Sequence, residues 1–309
     1  MNGIVNDKIV KYLKDNFDRI NRNYNYLDED FVFLDRLNFI FEKNSEVREE
    51  SRSVALKYLN KQISTSNILN ACLFLLAVSV YSENECDGIL PKQWITYEGR
   101  PDPRFVFGNS LNQLCCFSIS IVELVENGLD NAARVVLRSF IELSWQTIIL
   151  LYFREDLKKY IQPEEQEEVN RVWWELFGKG KIQKKLAIIE ENLGFGSDNI
   201  IKYKENRKDI YQFFSESVHH SHINNIASSM ICNFENEKLQ WKPLGGVGVR
   251  SNDTLFILSL SGLYFLDMFF IIIEDFHGTD LASLNEQHFK DCLVFKDFLR
   301  GIIENKHEI

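Results

Sequence analysis

The stretch SESVHHSH, Ser215 to His222, holds three of the six histidines of this 309-residue chain. On a helix, Ser215, His219 and His222 recur at i, i+4 and i+7, so one hydroxyl and two imidazoles share a face. Glu216 stands three residues ahead of His219. Imidazole titrates near neutral pH and is the commonest general acid or base, so such a face set against fixed positive charge would make an active site. The same cluster at a solvent-exposed helix C-terminus would only meet the helix dipole.

Fixed positive charge is available in DNAARVVLRSFIELSWQTIILLYF, residues 130–153. The segment is apolar on nearly every side, as a buried helix is, yet Arg134, Arg138 and Glu142 follow one another at i, i+4 and i+8. A buried charge is costly unless paired, which predicts an Arg138–Glu142 bond and a further acceptor for Arg134, with Asp267 in its own apolar segment as the expected one. Truncating Arg138 inside such a buried pair would cost about 3–5 kcal/mol by stranding Glu142. As a functional group, Arg134 and Arg138 would form an anion pocket for the phosphate of a nucleotide or RNA, since guanidinium forks match phosphate and carboxylate oxygens. As a structural group, the same residues would fix helix register and leave a non-enzymatic module that binds a protein partner.

A third chemistry comes from Glu-x-x-His, which sets two metal ligands on one helix face as in di-metal carboxylate bundles. The spacing occurs at Glu216/His219, Glu274/His277 and Glu304/His307. Against it, His277 precedes Gly278, His307 is two residues from the chain end, and the arginines bring positive charge where a cation would sit. No cofactor is expected. The glycines of NEKLQWKPLGGVGVR, 236–250, lack the Lys-Ser/Thr of a phosphate loop and the strand–glycine–helix spacing of a dinucleotide site. The six cysteines, Cys72, Cys86, Cys115, Cys116, Cys232 and Cys292, show no paired zinc spacing and read as reduced, buried thiols.

The elements that must position these groups are helices. Few prolines (5) and glycines (15) and many phenylalanines (24) favour long uninterrupted elements. Apolar periodicity predicts amphipathic helices near 9–20 and 30–43, a charged helix around 46–62, and an apolar helix from Ile68 to Tyr81 capped by Ser64, Thr65 or Ser66. The pattern breaks over 84–107, where GILPKQWITYEGRPDPRF predicts a long irregular loop whose Arg100, Asp102 and Arg104 would line a site or solvate the loop. Two helices then meet at Asn127–Gly128–Leu129, with Asp130 as the next cap. Pro163 suits the first turn of a charged helix ending near Gly178, and helices near 181–193 and 198–218 follow. A small hairpin over 236–250 precedes helices at 253–275 and 281–306. Leu255 to Ile273 approaches the length of a bilayer span, but Asp267 would cost about 2.5–3.5 kcal/mol near a bilayer centre, so no stable membrane insertion is expected.

The expected architecture is an all-α chain, a single large bundle of about ten helices over 1–309. A net charge of −10 disfavours non-specific nucleic-acid binding while leaving room for a local basic patch. The N-terminus lacks the apolar core of a secretory signal, so a cytoplasmic protein is expected. No oligomeric state follows from the pattern.

ARVVLRSFIEL together with YQFFSESVHHSH resembles an uncharacterised bacterial all-helical family with an Arg-x-x-x-Glu helix followed by a Ser-x-x-x-His segment. Arg138 and Glu142 match the first motif, Ser215 and His219 the second, and the resemblance covers about the middle third of the chain. It implies an accessory or antiviral-defence type of protein. That family is distantly similar to the HEPN superfamily of helical ribonucleases, whose hallmark is an arginine and a histidine separated by four to six intervening residues. Arg300 and His307 in RGIIENKH have that spacing, with Gly301 where the hallmark has a polar residue. The HEPN likeness implies a ribonuclease, and the Arg138/His219 pair is the better place for one: His219 would deprotonate a 2′-hydroxyl and Arg138 would stabilise the phosphorane.

Overall fold

The computed structural model describes residues 11, 15–16, 30–81, 103–218, 229–276 and 287–304. Ten α-helices are bounded within the described residues: α1 (Asp30–Tyr58), α2 (Asn60–Tyr81), α3 (Pro103–Glu126), α4 (Asp130–Tyr152), α5 (Arg154–Tyr160), α6 (Gln166–Phe177), α7 (Lys181–Asn192), α8 (Ser197–Val218), α9 (Val249–Ile271) and α10 (Gln287–Glu304). A π-helical turn, Ile272–Phe276, extends α9. Between α8 and α9 lies one antiparallel ribbon, β1 (Met230–Cys232) with β2 (Leu239–Trp241), Ile231 opposite Gln240. The all-α bundle expected from composition is what forms.

The core sits where α2, α3, α4 and α9 meet, with α10 closing over α2. Leu69, Leu73 and Leu76 of α2, Leu111 and Leu114 of α3, Leu137 and Phe140 of α4, and Phe265, Leu266 and Phe269 of α9 are fully buried. Each set recurs at three or four residues, which is the helical spacing that turns one stripe inward. At about 25 cal/mol per Å² of apolar surface, this burial is the main term holding the helices together. Among the described residues four helices are long and apolar enough to cross a membrane, Asn60–Val80, Phe105–Glu126, Asp130–Tyr152 and Val249–Glu274, where the sequence pattern singles out 255–273. Here they pack chiefly on one another.

Several boundaries differ from expectation for physical reasons. The segments 30–43 and 46–58 form one helix, α1, with Lys43 paired to Glu46 and Asn44 accepting from Arg48 across the polar gap, while residues 60–62 of the expected 46–62 helix belong to α2. Thr65 is no cap: its hydroxyl donates to the Lys61 carbonyl inside α2, which starts at Asn60, and Ser66 meets the Ser259 hydroxyl of α9 in the core. Pro103 opens α3, so the last five residues of the expected 84–107 loop are helical; residues 84–102 lie outside the described ones. Pro163 stands three residues ahead of α6 instead of in its first turn. The expected 236–250 hairpin begins upstream at Met230, and its last two residues already belong to α9.

The glycine-rich segment turns out to be a clamp. Gly128 (φ +73) ends α3, and the Gly246 N–H donates to the Gly128 carbonyl at 2.8 Å. Arg48 spans the same junction, donating to the carbonyls of Asn127 and Leu244. Gly245 has φ +93, and a Cβ there would collide with the Gly128 carbonyl oxygen. Gly245→Ala is therefore expected to cost about 1–3 kcal/mol, combining left-handed backbone strain with overpacking. Urea denaturation reads this directly, and a loss under about 0.5 kcal/mol would mean the junction yields, since ordinary surface changes stay within that range.

Five of the six cysteines are described, none in a disulfide: Cys72, Cys115 and Cys292 are buried, Cys232 is half-buried and Cys116 is exposed, contrary to the uniform burial expected. Where α2 meets α10, the Cys292 thiol donates to the Cys72 carbonyl at 3.3 Å. The hydrogen bond to Cys72, then burial, hold the Cys292 thiol well above its usual range.

Candidate functional site

The charged stripe of α4 does not stay on one level of burial. Four residues turn about 400°, so each step of four drifts about 40° round the helix. Arg134 consequently lies wholly inside, while Arg138 and Glu142 have 22% and 30% of their side chains exposed. The drift separates one expected anion pocket into two arrangements.

Arg134 is a structural tie. Its Nε donates to Asp130 at 3.0 Å and its Nη2 to the Arg250 carbonyl at 3.0 Å, while Asp130 also accepts the Thr254 hydroxyl at 2.7 Å. These bonds lock the first turn of α4 to the first turn of α9. Asp130 therefore does not cap α4 through its side chain, and Leu129 stands at the cap position without one. Burial lowers the Arg134 pKa, and the Asp130 charge partly restores it. The expected Asp267 partner is elsewhere: Asp267 accepts from Arg300 and, at 3.5 Å, from Lys296, both on α10.

Arg138 bonds Glu142 as its spacing predicts, Nε to Oε1 at 2.9 Å. Its Nη2 donates to the Tyr211 hydroxyl of α8 at 2.8 Å, and its guanidinium carbon lies 4.8 Å from the centre of that ring. Because both partners of the ion pair keep solvent contact, truncating Arg138 no longer carries the buried-charge penalty set out above; half-exposed helical pairs contribute about 0.3–0.5 kcal/mol. Tyr211 is one turn before Ser215, whose backbone is helical in α8, and α8 runs to Val218. His219 and His222 lie outside the described residues, as do His277 and His307. Among the described residues no three His, Cys, Asp or Glu side chains converge as metal ligands.

A second cluster joins α8 to α7 and α9 and has no signature in the sequence. Arg207 of α8 and Glu190 of α7 are 5% and 0% exposed, with Nη1 donating to Oε1 and Nη2 to Oε2 at 3.1 Å. Gln183 accepts from Arg207 Nε at 2.9 Å, and the Tyr264 hydroxyl of α9 donates to Glu190 at 2.8 Å. Burial, then the Glu190 charge, push the Tyr264 hydroxyl well above its usual range, so it stays a donor. Glu190 and Arg207 sit in segments that read as ordinary charged amphipathic helices, and only the packing of α7, α8 and α9 brings them together.

Neither protein-family models, curated proteins nor solved structures give any match to this chain.

Proposed function

We propose that this is a defence-type helical protein that binds RNA or a nucleotide through its phosphate on the seam between α4 and α8, and that it cleaves RNA without a metal. The observation that carries this reading is the Arg138–Tyr211 hydrogen bond, which ties an exposed-edge arginine to the helix whose next turn holds Ser215 and whose end precedes His219. In the reaction His219 takes the 2′-hydroxyl proton, the 2′-oxygen bonds to phosphorus, and the bond to the 5′-oxygen breaks, that oxygen leaving with a proton from water. Arg138 stabilises the added negative charge on the phosphorane, and Glu142 holds the guanidinium in place. Ser215 is read as a hydroxyl donor to a phosphate oxygen. Arg134, wholly buried, is left out of ligand contact.

RNA cleavage by the purified protein with chelator present tests this. A general base typically contributes about 10²–10⁴-fold, so His219→Ala should lose that much rate at an unchanged melting temperature, with matching loss of cell toxicity or phage resistance. Cleavage that needs a divalent ion would move the chemistry to Glu-x-x-His, and equal rates in both proteins would end the ribonuclease reading.

One observation favours a second reading, a non-enzymatic interaction module. Two of the Arg138 nitrogens already have protein partners, which is how a purely structural guanidinium would be used. The protein is further proposed to be cytoplasmic and without stable membrane insertion, a reading supported by the four apolar helices among the described residues, about half or more of whose residues are buried within the bundle.

A further inference from the structure

Between α4, α8, α9 and α10 lies a cavity of about 350 Å³, within the range of small-molecule sites. Its walls are aromatic, from Trp145 on α4, Phe195 before α8, Tyr203 on α8 and Tyr264 on α9. Tyr203 and Tyr264 already stand ring to ring, 5.7 Å between centres. Ile210, Leu263 and Met268 add aliphatic surface. The charged side chains that reach the cavity are balanced: Arg207 is satisfied by Glu190, Arg300 by Asp267, and Glu304 stands exposed at the rim. Both arginines are thus neutralised by carboxylates, and Glu304 at the rim is the one lining charge outside these two pairs. An anionic group would find no unspent counter-charge in the cavity itself, whereas a flat neutral ring would gain stacking surface. Hydrogen-bonding capacity for the edge of such a ring is present in the Asn206 amide and the Ser261 hydroxyl.

The cavity also has a defined relation to Arg138. Trp145 is seven residues beyond Arg138 on α4, two turns on and about 10 Å along the axis on nearly the same face. On α8 the order is reversed, Arg207 lining the cavity and Tyr211 meeting Arg138, so the two helices run antiparallel along one seam. We infer that this cavity receives the base of a nucleoside, with the 5′-phosphate extending along the seam towards Arg138. The choice of a nucleobase among flat heteroaromatic rings rests on the phosphate reading above.

Calorimetric titration of the full chain with adenosine, guanosine, cytidine and uridine, and with their 5′-monophosphates, separates the two ideas. The variants are Asn206→Trp, at an exposed position where the ring covers the mouth without disturbing the core, and Arg138→Gln. At least one nucleoside should bind, weaken by about tenfold or more in Asn206→Trp, and be unaffected by Arg138→Gln, a change of about 1.4 kcal/mol. Its monophosphate should bind about tenfold tighter than the nucleoside, with the gain lost in Arg138→Gln. Nucleosides that fail to bind, or that bind wild type and Asn206→Trp equally, overturn the cavity inference; monophosphates binding through Arg138 would still uphold the phosphate reading. Nucleoside binding sensitive to Asn206→Trp but with no gain from the phosphate upholds the cavity and overturns the phosphate reading.

Discussion

Replacing Glu190 with alanine is expected to remove about 3–5 kcal/mol of folding stability, because it leaves the Arg207 guanidinium charged, buried and without its carboxylate. Glu190 has no exposed side-chain surface and satisfies two Arg207 nitrogens and the Tyr264 hydroxyl at once. The remaining partners of Arg207 are neutral, Gln183 accepting from Nε and the Tyr264 hydroxyl from Nη1 at 3.4 Å. The cost belongs to the stranded charge more than to the lost bond, so changing both partners should cost less than changing one. Glu190→Leu combined with Arg207→Met is expected to recover most of the loss, since a well-packed apolar pair is often neutral or better than a buried ion pair. Urea denaturation of the two single variants and the double gives the coupling energy. A single-variant loss under about 1 kcal/mol, the size of a surface pair, would mean that water reaches Arg207 in the folded protein.

That cluster marks the limit of what the sequence alone conveys. The apolar helices were legible because burial leaves a period: Leu69, Leu73 and Leu76 recur as one inward stripe, and all three are buried. The Arg138–Glu142 bond was legible because both ends sit on one helix four residues apart. Pairs between helices leave no period. Spacing leaves Arg134 in need of an acceptor and Asp267 isolated in its apolar segment, yet α10 supplies Arg300 and Lys296 to Asp267, and Arg134 finds Asp130 one turn away on its own helix. Arg207 and Glu190 carry no local mark, and Tyr211 differs from the other tyrosines only through its contact with α4. Helix ends are ambiguous in sequence where hydroxyl residues allow two uses: Thr65 can cap a helix or bond back to the carbonyl four residues before, and in the structure it does the second, next to the Ser66–Ser259 contact of α2 with α9.

Arg138→Gln is expected to leave the protein folded and to remove most of the RNA cleavage proposed above. The stability side follows from exposure. The ion pair is 22% and 30% exposed, within one helix, and worth about 0.3–0.5 kcal/mol, with about 0.5–1 kcal/mol more from the Tyr211 ring at 4.8 Å. A loss near 1 kcal/mol leaves a domain of ordinary stability fully folded at room temperature. The activity side follows from charge: removing one donor aimed at a developing oxyanion typically costs about 10²–10³-fold in rate. Glu142→Gln supplies the control, because it weakens the same ion pair while leaving the guanidinium charged. If Arg138 serves only to hold α4 against α8, Arg138→Gln should be the less stable of the two by the Tyr211 contact, while the variants look alike in every binding assay. If it meets a phosphate, Glu142→Gln should retain phosphate binding while Arg138→Gln loses it, and Arg138→Lys should restore part of the affinity through charge without the two-pronged geometry. RNA cleavage and nucleotide titration at equal folded fraction decide between these outcomes, and equal losses in Arg138→Gln and Glu142→Gln would leave the seam a structural contact.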